Sequence, residues 1–125
     1  MSTLQGMNSI LTSVKKQLGI GADYEHYDMD IIIHINSVFM GLNQMGVGPD
    51  EVFTISDNTA LWTDFIPADN KHFESVKTYV FLKVKLIFDP PLSSSVMEAM
   101  KSLISECEWR LNFAAELNKS SKQEV

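Results

Sequence analysis

Apolar residues recur at helical spacing in four stretches separated by polar or proline-rich breaks. In the first, Asn8 to Leu18, the residues Ile10, Leu11, Val14 and Leu18 share one side of a helix. Lys15 and Lys16 suit the negative end of its dipole, and Gly19 suits its stop. After the polar linker GADYEHYD, the second stretch runs from Asp28 to Met45, with a stripe of Ile31, Ile35, Val38, Leu42 and Met45 widened by Ile32 and Phe39. Asp28 can cap this helix, and Gly46-Val47-Gly48-Pro49 ends it.

The third stretch, Asn70 to Asp89, carries Phe73, Val76, Val80, Val84 and Ile87 on one side. Tyr79, Phe81, Leu82, Leu86 and Phe88 extend its apolar surface most of the way round, leaving Lys77, Lys83 and Lys85 to mark a wet side. Asp69 or Asn70 is the expected cap, and Asp89-Pro90-Pro91 is a hard stop because proline lacks an N–H and clashes with the preceding turn. The fourth helix is expected from Ser93 to Leu117, with Ser95 and Glu98 at capping-box spacing and a frayed polar tail from about residue 118. Between the second and third helices, Glu51 to Asp69 is irregular. Val52 to Ile55 has strand composition and Ser56 to Thr59 has turn chemistry. Ala60 to Ile66 reads as a returning strand or a short helical turn. The expected fold is mainly α: a compact bundle of about four helices with a small irregular or β-hairpin insertion.

The last helix has apolar residues on two sides. At about 100° per residue, Val96, Met97, Met100, Leu103, Ile104, Cys107, Leu111 and Ala114 fall in one core stripe. Trp109 and Phe113, four residues apart, stack on the far side among acids such as Glu106 and Glu116. Either the Glu51–Asp69 segment folds over them or a second subunit does. Tryptophan and arginine are favoured interface anchors, and Arg110 is adjacent.

Composition narrows the function. A chain of 125 residues fits one domain. A net charge of -6 argues against tight general nucleic-acid binding, which needs a basic footprint. A single cysteine, Cys107, excludes an intrachain disulfide and suits a buried thiol in a cytosolic chain. The start lacks the basic and apolar run of a signal peptide. Ile31 to Pro49 contains no Asp, Glu, Lys or Arg, but His34, Asn36, Asn43 and Gln44 interrupt it, which favours a buried helix over a membrane span.

Catalytic chemistry is sparse. Asp28/Asp30 and Glu106/Glu108 lie two apart, so on a helix the partners do not face each other. His26, His34 and His72 have no metal-ligand spacing with one another or with Cys107. Gly46-x-Gly48-Pro49 is too short for a phosphate loop. No catalytic, metal or cofactor site is expected. Lys77, Lys83 and Lys85 read as a solvated face, or as a contact for an acidic partner or a DNA backbone.

Three ordered fragments carry a resemblance. Trp62-x-Asp64-Phe65, then Tyr79-Val80-x-Leu82-Lys83-Val84-Lys85-Leu86-x-Phe88-Asp89-Pro90-Pro91, then Glu106-x-Glu108-Trp109-Arg110-Leu111-Asn112 resemble the head–tail connector (adaptor) proteins of long-tailed bacteriophages. The first two helices are similar to that family's N-terminal helices. The resemblance implies a non-enzymatic virion protein without a cofactor, made in the bacterial cytoplasm. It implies a ring of about a dozen subunits under the portal protein that extends the DNA channel and docks a stopper or tail-completion protein. DNA would pass through without being held, and no membrane is involved. The family's C-terminal segment, here about Asn118 to Val125, would reach toward the portal. Trp109, Arg110, Phe113, Trp62, Phe65, Lys77, Lys83 and Lys85 are the candidate interface residues. The alternative is a small helical regulatory module that stops at a dimer.

Overall fold

The structure is a computed structural model that describes the backbone of residues 8–123 and the side chains of residues 8–117. Among the described residues it is helical, with no strand: α1 Ile10–Gln17, α2 Asp28–Met45, α3 Trp62–Phe65, α4 Phe73–Phe88 and α5 Ser94–Gln123. Helix α4 is central and packs on both α2 and α5, while α1 packs on α2. The core is continuous. Ile10 and Val14 of α1 meet Ile31, Ile35 and Phe39 of α2, Val76, Val80 and Val84 of α4, and Ile104 and Leu111 of α5.

Each helix end has a local cause. Ser9 caps α1: its Oγ accepts from the Thr12 N–H at 3.2 Å. Gly46 ends α2 in the left-handed conformation, φ 88°, and the next N–H, of Val47, returns to the Leu42 carbonyl at 2.9 Å. The expected cap of α4 lies one turn early. Asn70 Oδ1 accepts from the His72 N–H at 2.8 Å and shapes the turn that leads into the helix at Phe73. The start of α5 is capped by Ser93, whose Oγ accepts from the Val96 N–H at 3.4 Å, and not by the anticipated Ser95/Glu98 box. The helix continues to Gln123, past the expected end at Leu117; Glu124 and Val125 lie outside the described residues.

Asp28 does not cap α2. It forms an ion pair with Lys15 at 2.7 Å, and the Lys15 ammonium, only 2% exposed, also donates to the Ala22 carbonyl at 3.1 Å. A buried cation needs both partners to offset its lost hydration. The pair therefore ties the end of α1 to the start of α2 across the linker.

The insertion is not a β-hairpin. Its backbone finds partners other than a second strand, so no ladder forms. The Asn36 side chain acts as a mock strand: its Nδ2 donates to the Ile55 carbonyl at 2.9 Å and its Oδ1 accepts from the Ile55 N–H at 2.8 Å. Ser9 and Leu61 form an isolated antiparallel bridge, and the Ile10 N–H donates to the Ala60 carbonyl at 3.0 Å. Asp57 closes the intervening turn by accepting from the backbone and hydroxyl of Thr59 at 2.9 and 2.6 Å, which holds its carboxyl below the usual range. The segment ends in the single turn α3, where Asp64 Oδ2 accepts from the Leu61 N–H at 2.8 Å. Ring contacts of Phe39 with Phe53, at 5.2 Å, and with Phe65, at 4.6 Å, pin it to α2.

Candidate interface groove

Helix α5, with 30 residues, is about 45 Å long, whereas α4, with 16 residues, is about 24 Å. The two are antiparallel and their register is set by Tyr79, whose hydroxyl donates to Glu108 Oε2 at 2.8 Å. The same carboxylate lies 3.8 Å from Lys83 Nζ. Ala115 lies beside Gly46 at the end of α2. From there α5 runs on for eight more residues, to Gln123.

The buried stripe of α5 is narrower than the helical wheel indicates. Met100, Ile104, Cys107 and Leu111 are buried, but Val96 and Leu103 are each 50% exposed. Among the helices, α4 covers this one most and α2 less, and residues at the margin of the stripe stay wet. On the far side, Trp109 and Phe113 stack with ring centroids 5.3 Å apart and planes 11° from parallel. Trp109 is 67% exposed, Phe113 51% and Leu117 57%. The Glu51–Asp69 segment therefore does not fold over them.

These three residues form one wall of an open groove of about 930 Å³. The facing wall is built from the Gly46–Pro49 turn and from residues between Phe65 and His72. Gly48 shapes that wall. Its φ is +90°, and a Cβ there would sit 2.5 Å from the Phe65 ring, so only glycine lets the turn lie on the ring. The charged residues lining the groove are Lys71 and Arg110. Arg110 is held by Glu106 at 2.8 Å, with both side chains exposed.

The structure separates the eight candidate residues into three groups. Trp109, Arg110 and Phe113 come together at the groove. Trp62 is corrected: at 1% exposed it belongs to the subunit's own core, whereas Phe65, 4% exposed and packed in that core, also borders the groove. The Trp62 indole donates from Nε1 to Ser13 Oγ at 2.8 Å. In a segment too short for periodicity, the sequence carries no sign of which side faces inward. The three lysines are not a free basic stripe. Lys77 reaches Glu74 at 3.7 Å, Lys83 reaches Glu108 and Lys85 reaches Asp89 at 3.3 Å, and all three are about a third exposed or less. Sequence reasoning missed Leu117 and Lys71. Leu117 was visible as the next step after Trp109 and Phe113 at spacing four. Lys71 was not, because the groove joins three segments remote in sequence.

Burial raises the Tyr79 hydroxyl above its ordinary value near 10, and the hydrogen bond to Glu108 adds to the shift. Burial likewise raises the Cys107 thiol. A raised value means that the folded chain keeps the proton longer than the unfolded chain. The stabilisation is therefore full below the unfolded value and is lost as pH rises toward the folded one. The urea midpoint is expected to fall between pH 8 and pH 11, and Tyr79→Phe to flatten the part of that fall above pH 10. An unchanged slope in the variant would exclude Tyr79 as its source.

Residues 10–118 match the family model described as Phage connector protein. The chain belongs to the phage connector protein family. Searches of curated proteins and of solved structures returned no match. Membership makes this connector a structural, non-enzymatic virion protein of the phage head–tail junction, a kind of protein that meets the portal and other head or tail proteins. Among the described residues no helix is long and apolar enough to cross a membrane, and no three His, Cys, Asp or Glu residues gather as metal ligands. The groove is lined by the aromatic Trp109 and Phe113, by apolar residues such as Leu111 and Leu117, and by the polar Asn70, Lys71, His72 and Arg110.

Proposed function

We propose that this connector assembles as a ring beneath the portal, extends the DNA channel and docks the stopper or tail-completion protein. The observation that carries this reading is the exposed Trp109–Phe113 stack on the last helix. A monomer gains little from displaying such rings to water, whereas a subunit interface uses them as anchors. The charge pattern supports passage of DNA rather than capture. The chain is net -6, and Lys77, Lys83 and Lys85 each lie beside a carboxylate of their own subunit. Phosphates sliding past those three lysines would meet cations already partly neutralised. The segment from about Asn118, whose side chains lie outside those described, would meet the portal.

The test is to mix the protein with its candidate portal and image the product by negative-stain electron microscopy. Rings attached to the portal are the expected result. Portal particles that stay bare, with the protein remaining a monomer or dimer, would sink the reading.

A further inference from the structure

The groove at Trp109 has a chemically matched surface elsewhere on the same chain. In the α1–α2 linker and the first turns of α2, Tyr24 is 52% exposed, Met29 72% and Ile33 60%. Asp23, Glu25 and Asp30 lie exposed among them. No ion pair engages these three carboxylates among the described residues, in contrast to Asp28, which Lys15 holds. The patch is built rather than loose. The Tyr27 ring meets His26 at 4.8 Å and Phe88 at 5.4 Å, which anchors the linker on the C-terminal end of α4. The groove borders the N-terminal end of the same helix, through Asn70, Lys71 and His72. The two surfaces therefore sit at opposite ends of α4 and do not overlap.

We infer that the groove lined by Trp109, Phe113, Leu117 and Lys71 receives the acidic, aromatic Asp23–Ile33 surface of a second copy of this chain. This rests on the assembly reading above and specifies which faces meet. Three observations select this occupant. The groove is lined by two cations on a chain of net charge -6; Arg110 is already held by Glu106, and no ion pair engages Lys71 among the described residues. The matching surface is apolar with unpaired carboxylates, so each side supplies what the other lacks. An isologous dimer through the groove would instead set Lys71 of one copy against Lys71 of the other. Two different surfaces at opposite ends of one element make a head-to-tail contact, and such a contact propagates into a closed ring or an open filament rather than stopping at two.

Photo-crosslinking of the full chain tests it. Phe113→p-benzoylphenylalanine keeps an aromatic ring at the groove, and mixing ¹⁴N- and ¹⁵N-labelled protein, with and without portal, identifies links between copies. Links from position 113 to residues 23–33 of another copy support the inference. Links to residues 109–117 of another copy, links to the portal alone, or no link at all overturn it. Rings on the portal with any of those patterns leave the adaptor role standing, so the two failures are distinguishable. A charge exchange gives a second readout. Lys71→Glu is expected to weaken self-association about fivefold, and adding Asp23→Lys and Glu25→Lys to the same chain to restore it. Failure of the triple variant to recover overturns the pairing of these faces.

Discussion

Trp109→Ala combined with Phe113→Ala is expected to abolish ring formation on the portal and to leave the isolated subunit nearly as stable as before. Both rings face water in the subunit, and their mutual stack is an i, i+4 pair on one helix. Such a pair contributes only about 0.5 kcal/mol to the helix that bears it. For a chain of this length that is a shift of about 2 °C in Tm. At an interface the same rings act as anchors worth roughly 2 kcal/mol each when truncated. Losing both weakens each subunit contact by several hundredfold to about a thousandfold. Negative-stain images with the portal and a thermal melt of the subunit are read side by side. A melt lowered by 10 °C or more, with rings intact, would show that the pair serves the subunit's own fold.

The other tryptophan is expected to behave in the opposite way. Trp62 is 1% exposed, is packed 6.2 Å from the Phe39 ring and is hydrogen-bonded to Ser13. Trp62→Ala removes that bond and leaves a cavity where α1, α2 and the insertion meet, at a cost of about 3–5 kcal/mol. At about 4 °C per kcal/mol, Tm falls by about 12–20 °C. Trp62→Phe keeps most of the volume and loses mainly the hydrogen bond, so its cost is about 1 kcal/mol. Because the chain has only these two tryptophans, the variant also leaves Trp109 as the sole indole emitter. Its emission is then expected to be fully open to acrylamide, and to become protected when the protein assembles on the portal. Quenching that is unchanged on assembly would place Trp109 outside the interface.

The contrast between Trp62 and Trp109 marks how far local pattern reaches. The long helices were legible because apolar residues repeat over three or more turns, and a repeated period survives a few errors. The end of α2 at Gly46 and of α4 before Pro90 was legible because glycine and proline act on the backbone itself, whatever surrounds them. The Trp109–Phe113 pair could be placed on the far side of α5 from spacing alone. Its want of cover could not, because that depends on where residues more than forty positions away come to rest.

Other features lay beyond local pattern for the same reason. Val52 to Ile55 has strand composition, yet a strand needs a ladder, and the partner that arrived was the side chain of Asn36. Lys77, Lys83 and Lys85 look like a free basic stripe until Glu108 is brought across from α5 and Glu74 and Asp89 turn back along α4. Lys15 suits the end of its helix by position, but only the fold brings Asp28 and the Ala22 carbonyl over it.

By itself, then, the sequence determined the helical class, the main breaks and the connector resemblance, since each rests on short-range periodicity, backbone chemistry or ordered motifs. Only the tertiary structure decided which tryptophan is core and which is surface, which charges are already paired, and that residues 46–49, 65–72 and 109–117 form one groove. Burial and pairing are properties of segments that meet across long stretches of chain, and no local pattern records which of them will meet.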